Sequence, residues 1–146
     1  MYSLILTLHH YVAFIALILL AWATLNGILG SNSEKVFEDK HRKINSFALI
    51  ATHTMLLLGL ILLVVSPVAQ HAFSDMGAAM KNAEARKAVV EHPFTNIIAV
   101  VLATIGNAKS KKALGNGRKF KVSFIFYGLT LLLILSRLPF EKLFSF

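Results

Sequence analysis

Three histidines stand where a histidine is costly. His9, His53 and His92 lie within, or at the ends of, long apolar runs. An ionisable side chain buried in hydrocarbon normally faces a partner, a cavity or a cofactor. A neutral imidazole binds a metal through one ring nitrogen. Two imidazoles from facing helices suit the axial positions of a haem iron held in a bundle. The sequence contains no cysteine, which excludes disulfides, thiolate catalysis, iron–sulfur clusters and cysteine zinc sites. Any haem is then b-type, without thioether attachment. Arg137, close to the end of the last apolar run, suits a propionate partner. The residues thus predict haem b, with His9, His53 and His92 as candidate iron ligands and the pairing left open.

Each histidine also has a plainer reading. His92 precedes Pro93 and could hydrate or cap a helix start. His9 and His10, near Tyr2 and Tyr11, could anchor a membrane interface. His53 could hydrogen-bond Thr or Asn on a neighbouring helix. His41 and His71 fall in polar connections, where solvation is expected. Met76 and Met80 could ligate copper, but helical Met spacing more often makes an apolar face. The chain carries no metalloprotease motif, phosphate loop or nucleophile–base arrangement.

The elements that must position these groups are legible from hydropathy. Of the 146 residues, 56% are hydrophobic and 15% charged, too apolar for an ordinary soluble domain. The apolar residues gather at about 4–29, 44–66, 91–106 and 122–138. A spanning helix takes roughly 20 mostly apolar residues. The fold class is all-α: an integral membrane four-helix bundle, one domain over residues 1–146. No Lys or Arg precedes Lys35, so the first run is read as a retained helix rather than a cleaved signal. Pro67 ends the second run and Pro139 the fourth. Residues 76–90, rich in Ala, Lys, Glu and Met, predict a helix along the membrane surface, with Ser74 or Asp75 as its cap. Pro93 fits a first helical turn, and Gly115-Asn116-Gly117 reads as a tight turn.

The net charge of +8 lies in the connections rather than along a nucleic-acid-binding face, so no nucleic acid is expected. Ten of the fifteen Lys and Arg residues fall in connections 30–43 and 107–121. By the positive-inside rule those two loops are cytoplasmic, and both termini lie on the outer side. The bilayer itself is the one partner that composition demands.

Helical spacing gives the faces. His9, Ala13, Ala16, Leu20, Ala23 and Gly27 share one side of the first run. His92, Asn96, Ala99, Ala103 and Gly106 share one side of the third. Small residues let membrane helices approach closely, so both histidine-bearing sides should point inward. In the second run the small and polar stripe is Ala48, Thr52, Met55, Gly59 and Ser66, with His53 beside it. The fourth offers Ser123, Tyr127, Thr130 and Arg137. Counting residues from the ends matches His9 with His92 in depth better than either with His53.

The segments THTMLLLGLILLVVSP, EHPFTNIIAVVLATIG and AKSKK resemble a group of small bacterial membrane proteins labelled cytochrome b-like. Those proteins have four helices of about this length, and the resemblance covers nearly the whole chain. It implies a bacterial inner-membrane protein with bis-histidine b haem at His53 and His92, and less directly His9. It also implies electron transfer with a quinol or another carrier. The chain departs from the two-haem pattern of the larger cytochrome b proteins, which needs four well-placed histidines. A haem-free accessory or scaffold subunit of a larger membrane complex is the rival expectation. A transporter is disfavoured, because no carboxylate lies inside an apolar run.

Overall fold

In hydrocarbon, every backbone N–H and C=O must be satisfied within its own segment, and a helix does this alone. The computed structural model describes residues 1–143, so residues 144–146 of the expected domain lie outside the described residues. Its helices are α1 (Tyr2–Ser31), α2 (Asp39–Val65), α3 (Pro67–Ser74), α4 (Met76–Lys81), α5 (Ala83–Arg86), α6 (His92–Lys112), α7 (Asn116–Ser136) and α8 (Phe140–Leu143). A π turn, Lys87–Glu91, joins α5 to α6, so residues 83–112 form one rod. There is no strand among the described residues. α1, α2, the Ala83–Lys112 rod and α7 are each long and apolar enough to cross a membrane.

The spanning helices outrun the apolar runs. At 30 residues, α1 and the 83–112 rod are each about 45 Å long against a hydrocarbon thickness of about 30 Å. Residues 39–43 and 107–112, expected in connections, are helical, because a helix does not stop where lipid gives way to water. The third connection shrinks to residues 113–115, where Gly115 takes the positive φ of 90° that the turn requires.

The helix expected over residues 76–90 is divided. Asp75 caps α4 and Asn82 caps α5, each accepting a backbone N–H. Ser66 caps α3, where Pro67 begins a new helix instead of ending structure. Ala69, Ala72, Ala79 and Val89 pack into a small core of their own.

Each spanning helix packs on its chain neighbours, α1 on α2, α2 on α6 and α6 on α7, and α7 closes the ring on α1. This leaves α1 and α6 on a diagonal. The stripes read from spacing face inward: Ala13, Ala16, Leu20 and Ala23 from α1, Ala48, Thr52 and Met55 from α2, Ala99 and Ala103 from α6, and Ser123, Tyr127 and Thr130 from α7 are all buried, while Arg137, at the end of the last stripe, is exposed. Gly27 and Gly30 of α1 lie against Phe124 and Phe120 of α7, and Gly106 of α6 lies against Phe126.

At the end carrying the basic connections the interior is polar, and Asn45, Ser110, Ser123 and Tyr127 are joined by hydrogen bonds. Asn45 Nδ2 donates to Ser123 Oγ (2.9 Å), Ser123 and Ser110 share a hydrogen bond (3.0 Å), and Tyr127 Oη donates to Asn45 O (2.8 Å). Tyr127→Phe removes only that last donor. It is expected to lower stability by about 1 kcal/mol in a detergent melt; an unchanged melting temperature refutes the assignment. His41, expected to be solvated, is buried instead. Its Nδ1 accepts from Glu38 N (3.0 Å), and its ring lies 4.9 Å from Phe120 and 5.6 Å from Phe37, centroid to centroid. The first connection folds back over the bundle end, so local polarity does not report its burial. His71 is exposed, as expected.

Candidate functional site

At the opposite end, His9 of α1 and His92 of α6 meet across the bundle diagonal. Their ring centroids are 6.3 Å apart and the ring planes are inclined at 77°. Both are half-buried. His10 lies 6.3 Å from His9, ring to ring.

Backbone carbonyls hold both rings. His9 Nδ1 lies 3.1 Å from Met55 O on α2, and His92 Nδ1 lies 3.0 Å from Arg137 O. A carbonyl only accepts, so each Nδ1 carries the proton and each neutral ring keeps its lone pair on Nε2. This is the arrangement by which proteins orient a histidine for metal binding. Arg137 follows the last residue of α7, where helix carbonyls lack intrahelical partners. Gly59 admits the His9 ring beside α2, since a Cβ there would stand 3.3 Å from His9 Cε1.

One turn deeper on α6, Asn96 donates from Nδ2 to His92 O (2.7 Å). Its Oδ1 is buried with no hydrogen-bond partner among the described residues. Such an orphan acceptor costs about 1–3 kcal/mol. A donor entering the site offsets that cost.

The π turn precedes His92 directly. Its wider turn shifts the helical register, and π turns recur at functional sites for that reason. Val89 packs with the α3–α4 cluster, while His92 and Asn96 serve the bundle interior. Glu91, at the end of the π turn, binds Arg86 (2.9 Å) and Arg137 (3.6 Å). This knot ties the start of α6 to the end of α7 beside the imidazoles.

His53 lies elsewhere. Its Nδ1 bonds Leu49 O (2.8 Å) within α2, and its Nε2 lies 3.4 Å from Thr104 Oγ1 of α6. Thr104 is twelve residues from His92, about 18 Å of helical rise. His53 is also exposed on the outer surface of the bundle, so the structure brings His9 and His92 together and leaves His53 apart.

No group of three or more His, Cys, Asp or Glu side chains able to hold a metal exists among the described residues. His9 and His92 are two imidazoles, each hydrogen-bonded through Nδ1 to a backbone carbonyl.

The comparisons assign nothing. No family model, curated protein or solved structure matches the chain.

The sequence placed Asn96 and Gly59 on the correct stripes without giving either a role. Stripe membership was the available signal. Nothing in the sequence marks Met55 O or Arg137 O, because any residue supplies a carbonyl.

Proposed function

We propose that the protein is a membrane-embedded b-type haem protein that takes part in electron transfer, its iron held between His9 and His92. The diagonal pair of carbonyl-anchored imidazoles, with both Nε2 atoms uncommitted, carries this reading. A bound haem supplies one-electron redox chemistry. His9 and His92 would hold the group, and Met55 O and Arg137 O would keep each Nδ1 protonated and each ring in place. The Arg137 side chain, at the same end, is paired with Glu91, so a propionate there would share that cation. A quinol or another membrane carrier is the donor this reading calls for, because His9 and His92 stand near the ends of their apolar runs. The Lys and Arg distribution supports placing that end outside and the basic connections in the cytoplasm of a bacterial inner membrane.

A specific observation favours a second reading, a haem-free subunit of a larger membrane complex. His53, Thr54 and Thr104 are exposed on a surface that otherwise meets lipid. Polar side chains there suit a neighbouring protein helix.

The deciding experiment is an optical spectrum of detergent-purified protein from haem-replete cells, oxidised and then dithionite-reduced. Sharp reduced-state b-type bands at about one haem per chain are expected. A featureless spectrum overturns the haem reading, and stable co-purifying membrane partners then identify the subunit reading.

A further inference from the structure

The basic end of the bundle holds a cleft of about 300 Å³ between α2, α6 and α7, within the size range of small-molecule sites. Three cations line it: Arg42, Lys111 and Lys119. Arg42 is bound to Asp39. Lys111 and Lys119 have no carboxylate partner among the described residues; Lys119 has only the Phe37 ring, 5.9 Å away. The two carboxylates on the cleft are already engaged, Glu38 with Lys40 (3.2 Å) and Asp39 with Arg42 and Lys43.

The floor is neutral and able to donate. Asn107 lines the cleft at 8% exposure, yet its side chain makes no hydrogen bond to any described residue. The residue is more than nine-tenths buried, and its amide keeps access to the cleft and offers two donors to whatever fills the space. Everything around it is committed: Asn45 to Ser123, and Ser110 to Lys119 O and Ser123. Two ammonium groups without carboxylate partners and an unused amide line one cleft, a combination whose chemistry suits a compact oxyanion.

The level of the cleft narrows the ligand further. Arg42 and Lys111 stand where α2 and α6 pass from charged to apolar sequence, the depth of lipid headgroups. By helical spacing, the seam below them runs from Arg42 through Ser46 and Leu49 to His53 on α2, and from Lys111 through Ala108 to Thr104 on α6. His53 and Thr104 meet across that seam. We propose that this cleft binds a phosphate group, presented by a phospholipid headgroup or by a soluble phosphate. Lys111 and Lys119 neutralise its charge and Asn107 donates to an oxygen. The site is independent of the histidine pair at the other end.

The test is thermal unfolding of the purified protein in mixed micelles containing phosphatidylglycerol, in phosphatidylcholine micelles, and in phosphatidylcholine micelles with inorganic phosphate at matched ionic strength. A rise of roughly 4 °C with phosphatidylglycerol over phosphatidylcholine is expected, with loss of that rise in K111Q/K119Q. K109Q/K112Q removes the same charge outside the cleft and should keep the wild-type rise, which separates a site from diffuse attraction. A rise with inorganic phosphate that K111Q/K119Q abolishes supports the site with a soluble ligand instead. No rise in either arm, or a rise that both double variants reduce equally, overturns the proposal. Native mass spectrometry of N107L supplies a readout independent of lysine charge. Retained phosphatidylglycerol at the wild-type level there also counts against it.

Discussion

His9→Ala and His92→Ala are each expected to abolish the reduced-state b-type spectrum, while His53→Ala keeps it at wild-type intensity. The asymmetry follows from position. The His9 and His92 rings lie 6.3 Å apart, centroid to centroid, each anchored through Nδ1, whereas His53 Nε2 lies 3.4 Å from the Thr104 hydroxyl. Each imidazole would supply one of the two protein bonds that hold the proposed haem, so removing either would weaken its retention. The anchors should matter less than the ligands. Gly59→Val crowds the His9 ring through added carbon alone, leaving both imidazoles chemically intact. A shifted or weakened spectrum is expected there, since disturbing the groups that orient a metal ligand typically costs 10–100-fold in affinity or activity. The spectra of the three histidine variants decide the matter. A spectrum lost only in His53→Ala would place the iron on the wrong pair and sink the His9–His92 assignment.

Gly27→Ala is expected to be among the most damaging small substitutions in the bundle. A Cβ at Gly27 would stand 2.6 Å from Phe124 N and 2.8 Å from Phe120 O, both backbone atoms of α7. A flexible side chain could yield to the intruding methyl; a helix backbone cannot do so without moving as a whole. α1 and α7 must therefore part along the contact that closes the ring. Overpacking of this kind costs about 1–3 kcal/mol, and Gly27→Leu should cost more. Thermal unfolding in detergent checks it, with Gly128→Ala as comparison. A Cβ at Gly128 would meet only Thr24 Cγ2, at 3.4 Å, the far end of a side chain. Equal melting temperatures for the two variants would show that the close approach does not govern stability.

These outcomes depend on features that differ in how far they can be read from the chain. Twenty-odd apolar residues in a row leave the backbone no alternative to a helix, so the spans follow from composition and length. Small residues at steps of three and four follow the same logic, because only a small-residue side lets two helices approach closely. Ala13, Ala16 and Ala23, or Ala99 and Ala103, could hardly have faced elsewhere. Counting from helix ends also matched the depths of His9 and His92, since rise per residue is constant.

Other features arise only when helices meet. His53 follows Thr52, which is wholly buried, and the 100° between successive residues carries it past the contact onto the outer surface. Periodicity gave its angle relative to its own helix, while packing against α1 and α6 set which angles are covered. His41 looked like a connection residue and became core, because residues 33–38 fold back and Phe120 rises to meet it. The polar helix ends were hidden because hydropathy marks the edge of the lipid and not the last hydrogen bond of the helix. The carbonyls that fix the two imidazoles, the orphan Asn96 Oδ1 and the idle Asn107 amide have no sequence signature at all. The sequence by itself determined four spanning helices, their inward stripes and the end on which the positive charge collects. Tertiary structure alone decided which histidines meet and which buried polar groups are left without partners, because both depend on the rotation of each helix against its neighbours.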